Sequence, residues 1–81
     1  MNQELIVYSK PGCGGCNFTK KYLQKSNIEY KEINVIENEE GLKRIKEFGH
    51  SSLPVVEFNG KLFSGHQPQE LDKIILSIKG A

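Results

Sequence analysis

Leu5-Ile6-Val7-Tyr8-Ser9-Lys10-Pro11-Gly12-Cys13-Gly14-Gly15-Cys16 runs from a short apolar stretch, through a Pro-Gly break, into two cysteines separated by two glycines. The apolar part reads as a strand buried on both faces. Pro11 stops strand pairing and Gly12 permits a turn. A helix then begins around Cys13 and runs to about Ser26, with Phe18 and Tyr22, and Thr19 and Leu23, at i,i+4. Asn27 ends it. The first cysteine therefore falls at a strand-to-helix junction, and everything else in the chain is read against that placement.

Downstream, Ile28 to Val35 is a second extended segment anchored by Tyr30, Ile33 and Val35. Its charges (Glu29, Lys31, Glu32) suit an edge strand. A strand, a helix and a second strand make a βαβ unit, so the two strands are expected parallel with a right-handed crossover. Glu37 to Phe48 reads as the second helix, with Leu42, Ile45 and Phe48 on its apolar side and Gly49 at its end. Gly41 costs that helix about 1 kcal/mol relative to Ala. Pro54-Val55-Val56-Glu57-Phe58, Asn59-Gly60 and Lys61-Leu62-Phe63-Ser64 form a hairpin, because Asn-Gly is the preferred two-residue type I′ turn. That register sets Val56 opposite Phe63 and Phe58 opposite Lys61. Gly65 ends the last strand. Pro68 opens a third helix, Glu70 complements its positive end, and Leu71, Ile74, Ile75 and Ile78 form its stripe. The expected fold is α/β, in the order βαβαββα, as one domain spanning residues 1–81.

Composition narrows the function. The chain has 81 residues with 11 basic and 10 acidic side chains, a formal charge of +1. That offers neither a basic field for nucleic acid nor an acidic tail. No apolar run approaches the roughly 18 residues of a membrane helix, and no secretory leader is read at the N-terminus. A cytoplasmic monomer, with no nucleic acid and no membrane as partner, is expected.

The chemistry lies in Cys13 and Cys16. A cysteine at a helix N-terminus sits near unpaired N–H groups and the positive dipole end, which favour its thiolate. Cys13 is thus the expected nucleophile. Cys16, one turn on, is the resolving thiol that breaks the mixed disulfide. Lys10 either adds positive charge beside the sulfur or is a solvated surface lysine. Gly14 and Gly15 leave the dithiol turn flexible, or are simply tolerated there. A zinc site needs about four ligands; His50 and His66 are the remaining candidates and are not at finger spacing, so no metal site is assigned and both read as surface or capping residues. A metal or iron–sulfur carrier using Cys13 and Cys16 remains the reading of another class. A copper-carrying module with C-x-x-C would have the order βαββαβ. The Leu53-Pro54 bond, at a strand start, is cis or trans on these grounds alone.

Tyr8-Ser9-Lys10-Pro11-Gly12-Cys13-Gly14-Gly15-Cys16, with Leu53-Pro54-Val55-Val56 downstream, resembles the active-site segment and cis-proline loop of the thioredoxin superfamily, and more narrowly its glutaredoxin branch. Phe63-Ser64-Gly65-His66-Gln67-Pro68 is similar to the Trp-Ser-Gly-Phe-aa-Pro segment of NrdH-type redoxins. It keeps Ser64, Gly65 and Pro68 and departs at Phe63, His66 and Gln67. Glutathione-using glutaredoxins instead have a Gly-Gly pair followed by an acidic residue that holds the glutathione amino end; here no Asp appears until Asp72. The resemblance implies a four-stranded mixed sheet with helices on both faces. It also implies a dithiol that reduces protein disulfides, notably in ribonucleotide reductase, and re-reduction by thioredoxin reductase. Lys10, Leu53, Pro54, Gly65 and His66 would meet the substrate, and no tightly bound cofactor is implied. The rival within enzymes is a glutaredoxin that takes glutathione as co-substrate and reductant.

Overall fold

Four strands and three helices alternate as expected in a computed structural model that describes residues 4–80. The terminal residues 1–3 and 81 of the expected 1–81 domain lie outside the described residues. The elements are β1 (Leu5–Ser9), α1 (Gly14–Lys25), β2 (Lys31–Asn34), α2 (Glu39–Glu47), β3 (Val55–Phe58), β4 (Lys61–Ser64) and α3 (Pro68–Lys79). The sheet order is β2-β1-β3-β4. β1 pairs parallel with β2 and antiparallel with β3, and β3 pairs antiparallel with β4. The sheet is mixed, and β2 is an edge strand.

Its two faces carry separate cores. Leu5 and Val7 of β1 and Val56 and Phe58 of β3 point to one face and pack with Leu23 of α1 and Leu71 and Ile74 of α3. Tyr8 and Val55 point to the other and pack with Val35 and with Ile45 of α2. Alternation along β1 and β3 thus feeds both layers, which is why β1 is apolar throughout. The hairpin register is the expected one, with Val56 opposite Phe63 and Phe58 opposite Lys61. Asn59 (φ 52°) and Gly60 (φ 79°) both take the left-handed conformation that a type I′ turn requires.

Helix ends explain where the boundaries differ from expectation. α1 closes in a Schellman motif: the Ile28 N–H donates to Leu23 C=O and the Asn27 N–H to Gln24 C=O, with Asn27 at φ 58°. Ile28 is therefore spent on the cap and buried beside Leu23. Strand pairing begins only at Lys31, so the second extended segment is shorter than Ile28–Val35. α2 starts at Glu39 rather than Glu37, because the Asn38 side chain caps it by accepting from the Gly41 N–H at 2.9 Å. It ends in a second Schellman motif through Gly49 and the His50 N–H. Phe48, expected on the buried stripe, is exposed, and the Arg44 guanidinium lies 5.1 Å from its ring centroid. Phe18, at i,i+4 from Tyr22, is 64% exposed on α1.

Tyr8, Glu57 and Arg44 tie α2 to the sheet. The Tyr8 hydroxyl donates to Glu57 Oε1 at 2.6 Å, and Arg44 grips both Glu57 oxygens at 2.8 and 2.7 Å. Burial, then the hydrogen bond to Glu57, pushes the Tyr8 phenol up to about 12. The Arg44 hydrogen bonds hold the Glu57 carboxyl below its usual value despite its burial.

Candidate active site

The Pro11-Gly12 turn brings the chain from β1 into α1, with Gly12 at φ 76°. Cys13 is the N-cap of α1 rather than its first helical residue. Its sulfur accepts the Cys16 N–H at 3.1 Å, so the first orphan donors of the helix point at Sγ. Cys13 and Cys16 are joined in a disulfide, their Cα atoms 5.2 Å apart. The two sulfurs differ in access: Cys13 is half-buried, whereas Cys16 is 1% exposed. In the reduced form, the same helix end would stabilise negative charge on Cys13.

The two glycines between them are not equivalent. Gly14 has open space where a side chain would go. A Cβ on Gly15 would come within 3.1 Å of Pro54 Cδ. The Leu53-Pro54 bond is cis, and Pro54 is buried against the dithiol turn. The Gly65 N–H donates to Pro54 C=O at 2.7 Å, joining the β4–α3 loop to the proline. The topology thus brings together Cys13, Gly15, Cys16, Pro54 and Gly65 from three separated segments. Leu53 is half-buried beside Pro54, and Lys10 stands exposed at the end of β1.

His66 is not a free surface residue. Its Nδ1 lies 2.9 Å from Thr19 Oγ1, with the Phe18 and Tyr22 ring centroids each 6.1 Å from its own. Thr19 is fully buried, three residues past Cys16 on α1. Sequence reading paired Thr19 only with Leu23; its contact across the fold to His66 leaves no local signal. His50 lies away from this cluster in role, its N–H closing α2. Among the described residues, no group of three or more His, Cys, Asp or Glu is placed to hold a metal ion.

A half-exposed sulfur at a helix N-terminus, bonded to a buried sulfur one turn on, can accept and deliver two electrons by thiol–disulfide exchange. The fold and this pair define a thioredoxin-like thiol-disulfide oxidoreductase whose substrates are disulfides. Comparison with known proteins narrows the class: the Glutaredoxin family model matches residues 5–63, and the chain belongs to the glutaredoxin family. It is 38% identical to the glutaredoxin-like protein NrdH of Lactococcus lactis subsp. cremoris over 70 residues, covering 86% of this chain and 97% of that one. It is 31% identical to a glutaredoxin-like protein from a Clostridium pasteurianum rubredoxin operon, covering 85% and 93%. Among solved structures, the Escherichia coli NrdH-redoxin superimposes with a TM-score of 0.84 at 24% identity, over 88% of this chain and 93% of that one. Among the described residues no helix is long and apolar enough to cross a membrane.

Proposed function

We propose that the protein is an NrdH-type electron donor that reduces protein disulfides, that of ribonucleotide reductase among them, and is itself reduced by thioredoxin reductase. The Cys13 thiolate attacks one sulfur of the substrate disulfide. The substrate S–S bond breaks, a mixed disulfide forms, and the first substrate sulfur leaves as a thiolate that takes a proton. The Cys16 thiol then gives up its proton and attacks Cys13 Sγ, releasing the second substrate thiol. Two electrons and two protons pass to the substrate, and the Cys13–Cys16 disulfide is left for the reductase, which draws its electrons from NADPH. The differential access of Cys13 and Cys16 is the observation that supports this order of attack.

Lys10, Leu53, Pro54, Gly65 and His66 are assigned to substrate contact. Leu53, set by the cis-Pro54 that follows it, offers its backbone to an extended substrate strand. No tightly bound cofactor is assigned. The choice of reductant rests on the β4–α3 loop. Gly65 is followed by His66 and Gln67, neither of them acidic, and the Gln67 amide donates to Ser64 C=O at 2.6 Å. The acids that follow are engaged: Glu70 with Lys73 at 3.1 Å, and Asp72 with the Tyr22 hydroxyl. The Escherichia coli NrdH-redoxin, described as having a thioredoxin-like activity profile, supports the same reading. A donor of this kind works where the thiol pool is kept reduced, which supports a cytoplasmic location.

The test follows NADPH consumption with oxidised protein and a disulfide substrate. Turnover with thioredoxin reductase alone is expected. Turnover that requires glutathione and glutathione reductase would overturn the reading in favour of a glutathione-dependent glutaredoxin.

A further inference from the structure

The hydrogen bond between Thr19 and His66 has no place in the exchange chemistry, yet it joins the two segments on which that chemistry depends. Thr19 lies on the helix that carries both cysteines, and His66 on the loop whose Gly65 N–H holds Pro54. Thr19 is fully buried, and His66 is the one side-chain partner of its hydroxyl among the described residues. Leaving a buried hydroxyl unpaired is costly, so the contact fixes the loop wherever the helix goes. Among the described residues it is the one hydrogen bond between this loop and that helix. Gln67 turns back on Ser64 within the loop, and Gly65, at φ 85°, turns the chain just before His66. Phe18 and Tyr22 flank the imidazole and restrict its ring.

We propose that Thr19 and His66 form a latch that holds the β4–α3 loop in the position protein partners dock against, so that Thr19 is a positioning residue setting affinity for protein partners rather than the reactivity of the dithiol. The inference rests on the reading above that Gly65 and His66 of this loop meet the protein partner, and it deepens that reading by naming what holds the loop. A small disulfide needs no such surface and is indifferent to the latch.

Thr19→Val removes the hydroxyl and keeps the shape. With thioredoxin reductase as partner, T19V is expected to raise KM about three- to tenfold, the range of one lost hydrogen bond, with kcat within about twofold. Pre-reduced T19V should reduce 5,5′-dithiobis(2-nitrobenzoate) in a single turnover within about twofold of wild type. Thr19→Ser retains the hydroxyl and should restore the wild-type KM even if T19V is poorly folded. His66→Leu should raise KM as well, and the T19V/H66L double variant no further than the larger single effect, as for one shared interaction. An unchanged KM in T19V, or an equal fall in its small-disulfide rate, overturns the latch. If wild type turns over only with glutathione, the reductase reading fails. The latch is then decided with insulin as the protein disulfide, where an unchanged KM in T19V overturns it and a raised one upholds it.

Discussion

Cys13 and Cys16 have the same chemistry and different surroundings. One is a helix N-cap whose sulfur already accepts a backbone N–H; the other is sealed under the turn with 1% of its surface exposed. In the reduced protein, iodoacetamide near neutral pH should therefore label Cys13 about tenfold faster than Cys16. Peptide mapping that found Cys16 labelled first would reverse the roles. Cys16→Ser should still attack a disulfide and accumulate the mixed species, whereas Cys13→Ser should lose activity altogether. Tyr8 and Glu57 give a second prediction, on stability. The unfolded phenol ionises near 10 and the folded one at about 12, so the stability this shift represents is complete below pH 10 and lost as pH rises to about 12. Glu57 acts at the other end: its carboxyl titrates below the ordinary 4.5 when folded, so its contribution is present above that pH and lost as pH falls through the lower value. Tyr8→Phe should cost about 1–2 kcal/mol at neutral pH and flatten the alkaline limb of Tm against pH. A Y8F protein that melted as steeply as wild type between about pH 10 and 12 would sink this assignment.

Among the elements, α2 shows how packing overrules propensity. Gly41 looks like a weak point, since Ala would stabilise a helix interior by about 1 kcal/mol. But an added Cβ there would approach Ile33 Cγ2 to 2.7 Å and Tyr8 Cδ1 to 3.6 Å. Ile33 is branched at Cβ and cannot swing that methyl away without leaving its rotamer. Overpacking costs about 1–3 kcal/mol, so Gly41→Ala should lower Tm by several degrees rather than raise it. A thermal melt showing G41A more stable than wild type would mean that the helix shifts freely off the sheet. The same contact marks the limit of what local sequence shows. The βαβ unit, the Asn59-Gly60 hairpin, and the placement of Cys13 and Cys16 all follow from periodicity and turn chemistry, which are local. Pro68 at the start of α3 and Gly49 at the end of α2 were legible for the same reason. The Asn38 cap, the loss of Ile28 from the strand to a Schellman motif, and the exposure of Phe18 and Phe48 were not. Each depends on which of several competing hydrogen bonds or contacts the assembled fold satisfies. At the site, Cys13 and Cys16 announce themselves by spacing. Thr19 acquires meaning only when β4 returns the chain to α1 and His66 arrives beside it.

At the scale of the whole molecule, charge is nearly balanced, and three ion pairs among the described residues engage part of it. Of 11 basic and 10 acidic side chains, Lys20 pairs with Glu32, Arg44 with Glu57 and Lys73 with Glu70. The sheet gathers the dithiol, Pro54 and the β4–α3 loop by connectivity and packing, and a net charge of +1 lends that assembly no long-range field. The proposed function then assigns recognition to short-range fit around the half-buried sulfur: the backbone of Leu53, the β4–α3 loop and the exposed Phe18 ring. Short-range contacts of this kind are little affected by ionic strength, whereas steering between opposite fields collapses once the Debye length shrinks to about 8 Å or less. The KM for thioredoxin reductase should therefore change by less than about threefold between roughly 50 and 300 mM sodium chloride. A tenfold rise across that range would show that exposed charges such as Lys10 guide the encounter, and Lys10→Gln should then abolish the salt dependence. A flat profile, with Phe18→Ala weakening the association equally at both salt concentrations, is the outcome that local complementarity demands.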